Sequence, residues 1–80
     1  MHAKVYVTLK KGVYDPQGEA VRHALAAMGH KQVEGVRVGR FIEVELAEQP
    51  RPAAEKTLTE ICEKLLANTV IESYRFEIGA

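Results

Sequence analysis

Hydrophobic and polar positions change their period four times along this chain, and the five segments so marked each predict an element. Val5, Val7 and Leu9 alternate with Lys4, Tyr6, Thr8 and Lys10, so residues 3–10 read as a half-buried strand. Val21, Ala24, Leu25 and Met28 then fall at i, i+3, i+4 and i+7, the stripe of an amphipathic helix. Asp15 suits its N-cap, Pro16 its first turn, Glu19 its positive end, and Gly29 the position just past its last turn. A second stripe, Leu58, Ile61, Cys62, Leu65 and Leu66, predicts another helix that Pro52 opens and Asn68 closes, with Glu60 and Lys64 paired on its wet side. The last apolar run, "IESYRFEI", returns to period two. Tyr74, Phe76 and Ile78 take one face, and Ser73, Arg75 and Glu77 the other.

Between the helices lies "VEGVRVGRFIEVEL", residues 33–46. Val36, Val38, Ile42, Val44 and Leu46 are all even-numbered, while Arg37, Glu43 and Glu45 are odd. A two-residue hairpin at Gly39–Arg40 pairs Val36 with Glu43 and so puts a carboxylate on the valine face, which the side-chain alternation forbids. A three-residue loop restores parity but sets Phe41 where that loop wants glycine. One long strand over 33–46, bent at Gly39, keeps every apolar residue on one side. At about 3.3 Å per residue it spans about 46 Å. A compact domain of this length has a radius of gyration near 12 Å. The strand therefore overhangs its own subunit, leaving edge and apolar surface that another copy must cover. The expectation is an α+β fold in two layers, β-α-β-(β)-α-β, with an antiparallel sheet and two helices packed on one face. It forms a single domain over residues 1–80 and associates into a homodimer or tetramer.

Composition narrows the function. Eighty residues bury only about 60–65% of the surface of the unfolded chain, which favours a partner as a source of stability. Eleven basic and eleven acidic residues argue against nucleic-acid binding driven by bulk charge. "RFIEVEL" lacks the stacking aromatics of an RNA-recognition sheet and carries two carboxylates that repel phosphate. No apolar run resembles a signal peptide or membrane span, so the expected location is cytoplasmic.

Candidate chemistry is sparse. "KKGVYDPQG" invites a phosphate-loop reading, but Pro16 deletes a backbone N–H, Asp15 repels anions and the Walker spacing is missing. The loop reads as a strand end, a turn and a capped helix, with Lys10 and Lys11 left to meet an acidic patch on a partner. His2 (in the N-terminal tail), His23 and His30 do not stand at i,i+4 from one another or from the lone cysteine, which predicts no metal site. Cys62, the lone cysteine, lies in the second apolar stripe as a buried inert thiol, with Glu60 and Glu63 nearby to raise its pKa. Glu43 and Glu45 share a strand face that lacks the burial of a catalytic pair; Arg37, Arg75 or Lys4 across the sheet suits them as ion-pair partners. From the residues alone, two readings stand: a non-catalytic subunit of a larger complex, or a stand-alone ligand-sensing or regulatory dimer.

Three stretches in combination, "VYVTLKKGVYDPQGEAVRHAL" at 5–25, "VEGVRVGRFIEVEL" at 33–46 and "CEKLLANTVIESYRFEI" at 62–78, resemble the PurS-type small subunit of bacterial and archaeal phosphoribosylformylglycinamidine synthase. The chain departs from that pattern at "QPRPAA", where a more acidic run is expected. The resemblance implies a component of an ATP- and glutamine-dependent carbon–nitrogen ligase of purine biosynthesis. In it a glutaminase subunit releases ammonia and a large synthetase subunit, using ATP and magnesium, activates the formyl amide oxygen for displacement. The small subunit, by the same resemblance, carries no catalytic residue, cofactor or metal of its own; it dimerises, docks between the other two and helps enclose the ammonia route. The residues expected to meet those partners are Lys10, Lys11, Asp15, Arg37 and Arg40.

Overall fold

The computed structural model describes residues 1–79, and its spine is the first strand. β1 (His2–Leu9) pairs antiparallel with both β2 (Arg40–Glu45) and β3 (Glu72–Gly79), giving a three-stranded sheet of order β2-β1-β3. Helix α1 (Pro16–Ala27) joins β1 to the segment before β2, and α2 (Arg51–Ile61) joins β2 to β3. The chain is an α+β fold with two helices, as the periodicity predicts.

Register sorts the side chains into two faces. Ile42, Val5 and Phe76 lie in one row, with Val44, Ala3 and Ile78 in the next. Ala3, Val5 and Val7 on the central strand are essentially inaccessible, and Leu58 of α2 and Cys62 just after it close over them. On the other face the rows are Phe41–Tyr6–Arg75 and Glu43–Lys4–Glu77. The Arg75 guanidinium stacks 3.9 Å above the Tyr6 ring, and Tyr6 tilts against Phe41 at 5.2 Å. His2 opens β1 instead of lying in a tail. Its Nδ1 stands 2.5 Å from Glu45 Oε1 and its Nε2 3.3 Å from Glu43 Oε2. Glu43 and Glu45 thus do meet a side chain from the neighbouring strand, but it is the His2 imidazole. Arg75 bonds Glu77 on its own strand.

Three expectations need correcting. β2 has six residues, and 33–39 approaches it without strand pairing. The pairing ends at Val7–Arg40, two residues before β1 itself ends, because the chain turns away from β1 there and the Val38 N–H goes to the Asp15 carboxylate instead. Parity nevertheless persists, because Val36 and Val38 are half-buried while Arg37 is exposed. At Gly39 the chain presses on the sheet end so closely that a Cβ would stand 2.3 Å from the Val7 carbonyl oxygen, so only glycine fits the bend.

The second correction concerns α1. Its caps form as expected, with Gly29 at φ 98° beyond the C-cap Met28. Yet the hydrophobic core is built without it: α2 alone covers the sheet face, and Val21 and Met28 stay 41% and 71% exposed. The radius of gyration is 16.1 Å, against about 12 Å for a compact chain of this length, and the long dimension is 49 Å.

The third is the end of α2. Pro50 is its N-cap, with Pro52 in the first turn, and the helix passes into a π turn at Cys62–Leu66 closed by Ala67 N–H on the Cys62 carbonyl at 3.1 Å. The widened turn rotates the residues after Cys62, so Leu66 reaches the core while Leu65 is 80% exposed.

Candidate functional site

The corner between β1 and α1 gathers most of the residues expected to meet partners. β1 gives way to a tight turn in which Val13 N–H bonds the Lys10 carbonyl at 3.1 Å. The chain then extends through Asp15, the N-cap of α1. Asp15 does two jobs at once. Its Oδ1 accepts the Gly18 N–H at 2.9 Å, capping the helix, and its Oδ2 accepts the Val38 N–H at 2.8 Å, tying the 33–39 segment to the corner. Those N–H donors, Gly18 first and Val38 next, hold its carboxyl below the usual range, and the Arg37 charge adds to them. Gly18 completes the joint: a Cβ there would stand 2.1 Å from the Val36 carbonyl oxygen, so the helix backbone lies directly on the extended segment.

Two clefts flank Asp15. One, of about 510 Å3, has Lys10, Lys11 and Arg37 on its walls, with Val13 and Val36 among the apolar residues between them. The other, of about 440 Å3, lies toward Thr8, Gln17 and Arg40. The five expected contact residues therefore line these two clefts around Asp15, but Arg40 stands apart in place and role. It donates through Nη1 to Glu72 Oε2 at 2.9 Å and through Nη2 to Glu72 Oε1 at 3.1 Å. The same Nη2 reaches the Leu66 carbonyl at 2.6 Å. Glu72 also accepts the Asn68 N–H at 2.7 Å, and that bond, with Arg40 second, holds its carboxyl low. Arg40 and Glu72 brace the start of β2 to the turn that leads into β3.

Glu72 and the Val38 N–H were invisible in the sequence as partners. Each lies more than twenty residues from the group it binds, and neither stands in a local motif. Cys62 is where the stripe puts it, fully buried, and burial ahead of the Glu63 charge pushes its thiol up, which leaves it a poor nucleophile. Among the described residues no group of three or more His, Cys, Asp or Glu is placed to hold a metal ion, and no helix is long and apolar enough to cross a membrane.

These features define a class: a small α+β chain whose residues of interest form a braced corner, with one helix left off its core. The relatives give the family. Residues 2–80 match the PurS family of phosphoribosylformylglycinamidine (FGAM) synthase. The phosphoribosylformylglycinamidine synthase subunit PurS of Bacillus subtilis (strain 168) is 51% identical over 75 residues, which is 94% of this chain and 88% of that protein. The C2 crystal form of Bacillus subtilis PurS superposes with a TM-score of 0.89 at 48% identity, covering 99% of this chain and 98% of that one. A chain of PurLQS from Thermotoga maritima superposes at 0.82 with 28% identity over 96% of each. The chain belongs to the PurS family.

Proposed function

We propose that the chain is the non-catalytic small subunit of phosphoribosylformylglycinamidine synthase in purine biosynthesis, working in the cytoplasm as a bridge between the glutaminase and large synthetase subunits. ATP, magnesium and the bond-making groups belong, in this reading, to the large subunit. The observation that carries it is the surface that the chain patterns as apolar and does not cover. Val21 and Leu25 of α1 and its C-cap Met28 stay outside the core, and the half-buried valines of 33–39 have no strand beside them. A second copy laid on this surface makes the dimer, and the dimer offers the larger subunits an apolar seam. Ammonia crossing between active sites must be shielded from water to stay unprotonated, which such a seam supports.

The test is omission. Without this chain, glutamine-dependent formation of formylglycinamidine ribonucleotide by the two larger subunits is expected to fall to background, while turnover fed by ammonium salt persists. Glutamine-driven turnover that survives omission removes the bridging role.

A further inference from the structure

Charge at the corner is unevenly satisfied. Of the five arginines, Arg22, Arg40, Arg51 and Arg75 each hold a carboxylate within 4.0 Å, and among the described residues Arg37 does not. Lys10 and Lys11, on the same cleft, are likewise absent from every ion pair of the described residues. The two carboxylates that line the cleft form no ion pair with them, although the Asp15 charge acts on Arg37 from nearby, so three cations stand against two carboxylates. Asp15 spends both oxygens on backbone N–H groups, and Glu19 is bound to Arg22, with His23 Nε2 a further 3.4 Å away. Lys10 also borders a shallow depression with Glu63 and Glu72, whose carboxylates are engaged by Tyr74 and Arg40. Three cations thus face an apolar-floored cleft on a chain whose net charge is zero.

We propose that this cleft takes a carboxylate-rich segment of one of the two larger subunits, with Lys10, Lys11 and Arg37 reading its charge. The proposal rests on the subunit role above and deepens it. It also divides the cations at the corner: three recognise the partner, and Arg40 is a brace. A phosphate ligand fits less well. Pro16 has no N–H to offer at the helix start, and the Asp15 carboxylate occupies the place where a helix N-terminus would hold an anion. The apolar floor of Val13 and Val36 suits a peptide that brings side chains along with its charge.

The experiment is reconstitution with the two larger subunits. The wild-type chain is expected to bind, and to bind more weakly as salt rises from low to moderate concentration. K10E/K11E/R37E is expected to weaken binding by about 100-fold at low salt and to lose most of the salt dependence. The neutral K11A/R37A variant serves as a gentler version, and an unchanged melting midpoint shows that each is folded. A wild-type chain that does not bind overturns the subunit role and this inference with it. Wild-type binding that the variants share overturns the inference alone. In amide NMR spectra of the free chain, hexaglutamate peptide is expected to shift Lys10–Asp15 and Gly35–Arg37 in the wild type only. Shifts produced there by inorganic phosphate or ADP and not by hexaglutamate would overturn the acidic-segment assignment.

Discussion

Asp15 Oδ2 accepts the Val38 N–H at 2.8 Å across 23 positions of sequence, so one side chain both starts α1 and anchors the segment that leads into β2. An Asn at this place keeps a cap oxygen but loses the second acceptor, and an Ala loses both. The melting midpoint is expected to fall in the order wild type, D15N, D15A, with the full loss about 4–8 °C if it is worth one helix cap in a domain this small. In D15N, faster hydrogen exchange at the Val38 amide with α1 still protected is the signature that separates the two jobs.

The same bonds make stability depend on acid. Asp15, Glu19, Glu45 and Glu72 all bind their protons more weakly folded than unfolded. Their contribution is complete above the unfolded carboxyl pKa, about 4, and is lost as pH falls through the lower folded values. The melting midpoint is therefore expected to hold from neutrality to about pH 5 and to drop below about pH 4. D15N should flatten that drop in part. A wild-type midpoint unchanged down to pH 2 would contradict the hydrogen-bond assignments.

Gly18 predicts a sharp contrast with Gly35. A methyl group at 18 meets the Val36 carbonyl oxygen at 2.1 Å, whereas at 35 it meets nothing within 4 Å. G18A must push the helix off the segment and is expected to cost about 1–3 kcal/mol or more, read by chemical denaturation. G35A is expected to be near neutral.

How far the sequence discloses this molecule can be argued residue by residue. The elements were legible because each rests on local physics: alternation for β1 and β3, a 3.6-residue stripe with Asp15 and Gly29 at its ends for α1. The parity of 36, 38, 42, 44 and 46 was legible too, and it rightly excluded a hairpin at Gly39. The length of β2 was not, because alternation says which way side chains point and nothing about whether a neighbouring strand is present. Nor was the uncovered face of α1, since an apolar stripe predicts burial without naming what buries it. At the corner, Lys10, Lys11, Asp15 and Arg37 were picked out by charge and position as expected contacts, and the structure places all four around one cleft. The pairing of Arg40 with Glu72 was not, because it joins the start of β2 to the start of β3 and has no local spacing to betray it.

The π turn gives a prediction of its own. Leu58 and Leu65 are seven residues apart on one predicted stripe, yet one is fully buried and the other 80% exposed. L58A leaves a void between α2 and the sheet and is expected to cost about 2–5 kcal/mol, a large share of what a domain this small possesses. L65S is expected to leave the free chain's unfolding midpoint unchanged. Equal losses from both would mean that the helix runs on in α register through Cys62–Leu66.

The Arg40–Glu72 pair predicts an asymmetry. Glu72 is 13% exposed and serves two donors, the Arg40 guanidinium and the Asn68 N–H, while the Arg40 side chain is 52% exposed. Removing Glu72 strands a backbone donor as well as a charge; removing Arg40 leaves Glu72 with its Asn68 bond and access to water. E72A is therefore expected to destabilise the chain more than R40A, and the double variant to fall short of their sum by a coupling on the order of 1 kcal/mol, the range of a well-aligned pair near the surface. R40A should lower the melting midpoint yet bind the larger subunits almost as the wild type does once folded. A binding loss in R40A as large as that of K10E/K11E/R37E, with stability unchanged, would make Arg40 a contact residue and the brace an accident of two neighbouring charges.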